Sequence, residues 1–531
     1  MLRRITSSRA KRILLWILVT LLTLTVLLFV WTNWSGRRRW AQTKAMIERE
    51  GETLDFHKLL PETPPEAENL LAIEPLRGIA AVIDNDETKG EPGAKRKALE
   101  FVKWATGSQQ PPAAQGVTLG KPTDFQAWVN FLRETKYLDL PAGNVSANDV
   151  LAALDSKLPV VKQLADEAPR RSKAMFTPGL KERQMPAMLL ALPMPHYSHA
   201  QNLARALGLR ARVAIEAKNS AEAARSIIAI HRLASACEKE PLLIGFLVGA
   251  SMRATALEPL WLGLREHRFT DEDLRMLQDS LFHEADAKPL LQAMRGELVA
   301  GVNAVEYMQA AAAGEGDGNE KVLGDVAGNG IDSKFWRLVP SGLFDHWKSA
   351  MGELELQRLV VPLKNSGLMQ AVRAGDADVD ELKEKSNVLV HPDRLMVNLM
   401  MPAANTICVN GLLAEARCSQ ALAAIALERF FLKQGRLPAK LDELVPEFLS
   451  VVPLDLCDGK PMRYRVVESN RFTLWSVGLD GKDDNAKVTT DAKGNTKLNK
   501  RDYLGDWTWD YEPVEVIKTN PAPDRAHGPS E

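Results

Sequence analysis

The 531-residue chain reads as mainly α-helical: helical hairpins or an irregular bundle behind one N-terminal transmembrane helix, closed by a small C-terminal α+β module. Three observations lead there. No charged residue stands between Ile13 and Gly36, and the run from Ile13 to Trp31 is almost wholly apolar. Through the middle, apolar residues recur at helical spacing, as in Leu290, Leu291, Met294, Leu298, Val302 and Val305. Past Gly435 two short runs, Met462 to Val467 and Arg471 to Val477, alternate partially and fit a β-hairpin.

The N-terminal run is long enough to cross a hydrocarbon layer of about 30 Å at about 1.5 Å per residue. Trp16 marks one end, and Trp31, Trp34 and Trp40 follow the other, as an aromatic belt would. A cleavable signal peptide has a shorter apolar region and a small-residue cleavage site; Trp31, Thr32, Asn33 and Trp34 supply none. The expectation is an uncleaved anchor that holds the lipid bilayer through residues 13–34. Arg3, Arg4, Arg9, Lys11 and Arg12 precede it, and Arg37, Arg38, Arg39 and Lys44 follow, so charge hardly sets the orientation. A short basic tail ordinarily stays inside. This places the protein in a bacterial cytoplasmic membrane, single-pass, with the bulk of the chain extracytoplasmic.

The remaining boundaries follow composition. Residues 1–12 form a basic tail, 13–34 the anchor, and 35–122 a juxtamembrane helix with a loop-rich linker in which LEFVKWA is one short helix. Residues 123–310 form a helical domain, 311–333 a Gly- and Asp-rich flexible loop, and 334–411 a helical continuation. Residues 412–511 are the C-terminal module and 512–531 a disordered tail. Ser146 with Asp149, Thr270 with Asp273 and Asn219 with Glu222 carry helix-start grammar. Four or five helices of 15–22 residues are expected between His199 and Ala310. One long helix is expected from about Ala403 to Gln434, stopped by Gly435, with Ala416, Ala423, Leu427 and Phe430 on its apolar face and Glu415, Glu428, Lys433 and Gln434 left polar. The Ala-rich hairpins resemble stacked helical hairpins of the tetratricopeptide class, without a clean repeat.

Charge excludes one class of partner. Sixty-seven basic residues face 68 acidic ones, which does not suit a nucleic-acid binder. The four cysteines, Cys237, Cys408, Cys418 and Cys457, are scattered and read as buried small hydrophobes. His196 and His199 stand three apart, without the Glu or Cys spacing of a zinc site, and read as polar residues at a helix start. His231, in an apolar helical run, reads as a hydrogen-bonded core or groove histidine. No nucleophile elbow, P-loop or dinucleotide fingerprint is found, so no catalytic residue is nominated.

The C-terminal module has a distinctive order: a helix ending at Gly435, Leu437-Pro438, then Leu441, Leu444, Val445 and Pro446. Pro453 and Asp455, Gly459 and Pro461, Tyr464, and finally Ser476 to Gly481 complete it. Over about residues 412–510 this resembles the globular domain of the type II secretion major pseudopilin family; the whole layout is similar to single-pass bacterial membrane proteins of uncharacterised role. The resemblance implies a pilin-like α+β fold and a calcium ion in the acidic loop. By position, Ser476 and Asp480 match the family motif, Asp483 and Asp484 follow, and Asp502 or Asp506 would close the site. Calcium takes about six to eight oxygen ligands, and carboxylates and carbonyls are plentiful there. A pilin's processed start is not present at Ile13, so the module reads as borrowed.

The expected function is a membrane-anchored, non-catalytic interaction or scaffold protein of the bacterial envelope with a protein partner. Its tie to secretion or pilus machinery follows from the resemblance. The alternatives are an envelope hydrolase whose site is assembled from distant residues, with His196, His199 and His231 the first to test, and a purely structural envelope protein.

Overall fold

A computed structural model describes residues 8–74, 76–78, 125–177, 180–182, 189, 194, 196–282, 288–314, 338–373, 404–489, 505–510 and 516–517. Its twelve α-helices among the described residues are α1 (Ser8–Arg49), α2 (Phe125–Glu134), α3 (Ala147–Lys157), α4 (Pro159–Glu167), α5 (His196–Glu216), α6 (Ser220–Glu238), α7 (Leu243–Arg265), α8 (Asp271–Phe282), α9 (Lys288–Ala313), α10 (Ser341–Glu355), α11 (Val361–Asn365) and α12 (Ala404–Gln434). The expected LEFVKWA helix lies outside the described residues.

The first helix is one rod of 42 residues with two different surroundings. From Ile13 to Trp31 its apolar side chains are exposed, Trp16 by 70%. Its sequence is long and apolar enough to cross a membrane. From Thr32 onward the same helix enters the folded domain and packs along α10. Asn33 Oδ1 accepts from the Gly342 N–H at 2.7 Å and from the Ser341 hydroxyl at 3.2 Å, which caps the first turn of α10 from outside. Ser35 Oγ lies 3.1 Å from His346 Nε2. One turn on, Arg39 makes a forked pair with Glu353, to which Thr43 also donates at 2.8 Å. Trp40 is buried, with the Lys348 ammonium 5.1 Å from its ring centre, and Ile47 is only 1% exposed. Burial of such side chains contributes about 1.5–3 kcal/mol each. A half-exposed forked ion pair contributes about 1 kcal/mol or less, so apolar packing supplies the attraction and the polar pairs set the register.

The crossing is closest at two glycines. A Cβ on Gly36 would run into the Gly342 carbonyl, and a Cβ on Gly342 would run into the Thr32 carbonyl. Past the helix end, Gly51 takes φ +75°, and Glu52 turns inward to bind Arg295 at 2.7 and 2.9 Å and Lys364 at 3.2 Å. Burial pushes the Glu52 carboxyl up, but these two cations outweigh it and hold its pKa below the ordinary value.

The α7 helix also has the length and composition of a span, yet it lies in the core against α5, α6 and α12. One apolar cluster runs from Leu70 through α2–α8 to α12 and on to Phe472, Leu474 and Trp509 of the sheet. Within residues 35–122, expected as juxtamembrane helix and linker, 3-10 turns stand at Glu66–Glu68, Leu70–Ala72 and Leu76–Gly78, and Leu70 and Leu71 are buried in this core. The predicted helix starts are made by the expected side chains: Ser146 with Asp149 in a reciprocal capping box, Thr270 with Asp273, and Asn219 with Glu222. Between His196 and Ala313 stand five helices, of 12 to 26 residues.

The long helix α12 ends at Gly435, which has φ +70° and donates to the Phe431 carbonyl at 2.8 Å. One expectation for it is corrected. Glu428 is buried, because His267 reaches it from the α7–α8 turn at 2.9 Å. Beyond α12, a 3-10 turn at Leu441–Leu444 leads to β1 (Arg463–Glu468) and β2 (Arg471–Ser476), an antiparallel hairpin as expected. After β3 (Val488–Thr489), β4 (Trp507–Trp509) pairs antiparallel with β2, giving the sheet order β1-β2-β4. Within the tail expected to be disordered, β5 (Val516–Ile517) pairs parallel with β3, and the rest of residues 512–531 lies outside the described residues.

Enlarging either crossing glycine should separate α1 from the domain. Gly36→Leu is expected to cost about 1–3 kcal/mol, read as a lowered Tm of the full chain in detergent, while Arg38→Leu on the exposed side of the same turn leaves Tm unchanged.

Candidate functional site

The histidines singled out by sequence lie inside the helical domain. His196 and His199 stand in the first turn of α5, as read from the sequence, and both are buried. Their burial follows from a partner in the α6–α7 junction. Glu240 there accepts from the Tyr197 hydroxyl at 2.6 Å and from the Thr177 hydroxyl at 3.1 Å, and His196 Nε2 lies 2.9 Å from it. Phe176 and Tyr197 pack their rings against the His196 imidazole at 5.4 and 4.3 Å. Burial, then the carboxylate of Glu240, pushes the Tyr197 phenol far up, so it stays a donor. Burial, with His196 nearby, lowers the pKa of His199 and favours its neutral form.

His231 belongs to a different group further along α6. Arg253 from α7 forms a two-pronged pair with Glu238, and its guanidinium lies 3.4 Å from His231 Nδ1. Complete burial, then the Arg253 and Arg232 charges, drives the His231 pKa well below its ordinary value. His231 is therefore a neutral core histidine, as its apolar neighbours in sequence suggest. Cys237 is buried between the two groups, and burial plus the Glu240 and Glu238 charges holds it as a thiol. It is not poised as a nucleophile.

Size decides what the Glu240 group can do. The cavity beside it, lined in part by Thr63, Thr177, Lys239 and Glu240, measures about 10 Å³. That is room for about one water, whereas ligand sites occupy about 300–1,000 Å³. Tyr197, Thr177 and His196 each place one polar atom on Glu240, and the His196 Nδ1 is buried without a partner. The arrangement fastens the Thr177 segment and the start of α5 to the α6–α7 junction.

The acidic loop of the C-terminal unit is organised around a residue outside the proposed ligand set. Asp455 is wholly buried and accepts from the Ser476 hydroxyl, the Cys457 and Val477 N–H groups and Arg463, at 2.7 to 2.9 Å. Ser476 is thus turned to Asp455. Asp480 accepts from its own turn at the Lys482 N–H. Asp483 accepts from Trp475 Nε1 at 2.9 Å and the Asn485 N–H at 3.0 Å; burial pushes its carboxyl up, but these bonds and Arg463 bring its pKa below the ordinary value. Asp506 returns on the far strand to accept from the N–H groups of Asp484 and Ala486, at 3.3 and 2.7 Å. Asp502 lies outside the described residues. Among the described residues, no group of three or more His, Cys, Asp or Glu is gathered for a metal ion.

Fold and site define a helical protein with an N-terminal apolar rod, a sheet fused to its core and buried ion-paired polar groups. Comparison of the chain with protein-family models, with curated proteins and with solved structures finds no match.

Sequence reading missed Glu240, Glu238, Arg253 and Asp455 as organising residues. The acidic pair in CEKEP, at the end of an apolar helix, was the available signal for the first two.

Asp506 yields a pH dependence. Burial above all, with Asp483 and Asp484 adding to it, raises its pKa from 3.8 to about 7. Folding therefore takes up a proton between these values, and this contribution to stability is lost as pH rises from about 4 through 7. Asp506→Asn should flatten that fall in a Tm series from about pH 4 to about pH 8. Millimolar calcium bound by the loop would instead lift the high-pH limb of the unmodified chain.

Proposed function

We propose that the chain is a membrane-anchored, non-catalytic interaction or scaffold protein of the bacterial envelope. The observation that carries this reading is the continuity of α1. Its exposed apolar half needs apolar surroundings, and its other half is locked into the domain by Asn33, Arg39, Trp40 and Ile47. A helix held in this way sets the height and orientation of the domain over the bilayer, as a scaffold requires. In this reading the basic N-terminal tail is cytoplasmic and the domain extracytoplasmic.

The partner surface is placed on the C-terminal unit, read as a borrowed pseudopilin-like module. Its edge strand β1 exposes Val466 and Val467, and the loop before it exposes Val451 and Leu454. Apolar side chains at an open sheet edge favour contact with another protein. A tie to secretion or pilus machinery rests on the family resemblance. The hydrolase reading has less support, because the cavity that Glu240 itself lines has room for about one water.

Photo-crosslinkers placed at Val467 and Leu454 in living cells should each give a discrete adduct, and one at Lys58 none. Absence of adducts at both apolar sites contradicts the proposal. A phosphatase fused after Leu60 should be active; an inactive fusion reverses the orientation.

A further inference from the structure

Where α1 leaves its apolar half, a cavity of about 540 Å³ opens between α1, the end of α9 and the start of α10. Its lining includes Phe29 and Arg37 of α1, Glu306 and Gln309 of α9, and Ser341 and Asp345 of α10. Position along the rod sets its depth. From Phe29 to Arg37 the helix rises about 12 Å, at about 1.5 Å per residue. The interfacial layer on one side of a bilayer is about 5–8 Å thick. If Trp31 and Trp34 sit at that layer, as the anchor reading on which this inference rests requires, the cavity spans it from the acyl boundary to its outer edge. Leu338, at the start of the same wall, is 75% exposed.

The charges in the cavity divide into spent and available ones. Asp345 is paired with Lys348 at 2.8 Å, and both are buried. Gln309 accepts from Lys348 and donates to the Ser341 carbonyl, at 2.8 and 3.1 Å. These three form a fixed, neutral wall. Arg37 and Glu306 are both exposed, and neither has an ion pair or hydrogen bond among the described residues. Among the described residues the site therefore offers one cation and one anion.

We propose that this cavity is a lipid site that takes a phospholipid with a zwitterionic, primary-ammonium headgroup. Arg37 presents its guanidinium fork to the phosphate, a geometry suited to two parallel hydrogen bonds. Glu306 accepts from the ammonium N–H groups, which a quaternary ammonium lacks. Phe29, Ala312 and Val339 supply apolar lining for the glycerol and the first acyl carbons. An anionic headgroup would satisfy Arg37 and be repelled by Glu306. The volume lies in the range of about 300–1,000 Å³ that holds small molecules.

The test uses the full chain in nanodiscs made from an equal mixture of primary-ammonium, quaternary-ammonium and anionic phospholipids. Native mass spectrometry after release reads the lipid retained. The expected result is a one-to-one adduct with the primary-ammonium lipid, enriched about tenfold over its share, as a charge-assisted hydrogen bond of about 1.5 kcal/mol would give. Glu306→Gln should abolish the preference for primary over quaternary ammonium, and Arg37→Gln should reduce retention of both. Tm of each variant should match the parent, since both side chains are exposed. Retention in bulk proportion, unaffected by either variant, overturns the proposal, as does enrichment of the anionic lipid. The anchor is read separately from the same cells by resistance of the chain to alkaline extraction. A chain that stays in the membrane without lipid preference loses only the lipid site; a chain that washes off loses the anchor reading and the lipid site together.

Discussion

At Gly36 and Gly342 two helix backbones approach so closely that neither position has room for a Cβ. The rest of the molecule depends on this contact. Close approach brings the Asn33 side chain to the first turn of α10 and aligns Arg39 and Thr43 with Glu353 one face further on. Trp40 and Ile47 are then buried rather than solvated, and the chain enters the domain at Glu52 with its charge matched by Arg295 and Lys364. A wider crossing would forfeit the cap, the register and the apolar burial together. It would also disjoin the wall of the cavity that Phe29 and Arg37 share with α9 and α10.

Within the domain, charge is managed by pairing. A buried charge without a partner costs several kcal/mol, so each one dictates what must lie beside it. Arg210 of α5 meets Asp155 of α3 and Glu222 and Ser226 of α6. Arg212 meets Glu258 of α7, and Arg253 of α7 meets Glu238 of α6. These pairs cross from helix to helix in an interior otherwise made of Ala, Leu and Ile. Apolar packing alone would tolerate many rotations of such smooth helices, whereas a forked ion pair tolerates one. His196 with Glu240 and His267 with Glu428 belong to the same scheme. His196 and His267 thereby join segments that are distant in sequence.

What could be read from the sequence was what is local in it. The capping pairs at Ser146, Asn219 and Thr270 act over three residues, and each begins its helix as expected. The stop at Gly435 and the hairpin around Ser469 and Asn470 are equally short-range. The apolar run from Ile13 announces itself by length alone. The misreadings concern residues whose partners are far away. Glu428 belongs by position to a solvated helix face, and a histidine 161 residues distant buries it. Asn33 and Gly342 meet across 309 positions, and nothing near either one indicates the other. The acidic loop, where the family resemblance implied a calcium ion, shows the same limit: Asp506 accepts from backbone N–H groups across a strand return that composition does not reveal.

If α1 and the domain move as one rigid body, the membrane fixes where the domain stands. The four native cysteines are buried, which leaves introduced ones free for labelling. Spin labels at Leu21→Cys on the exposed apolar half of α1 and at Arg275→Cys on α8 report the distance between anchor and domain in nanodiscs. A rigid connection gives a single narrow distance distribution that broadens when Gly36→Leu is added. A broad distribution in the unmodified chain, unchanged by that substitution, would contradict it.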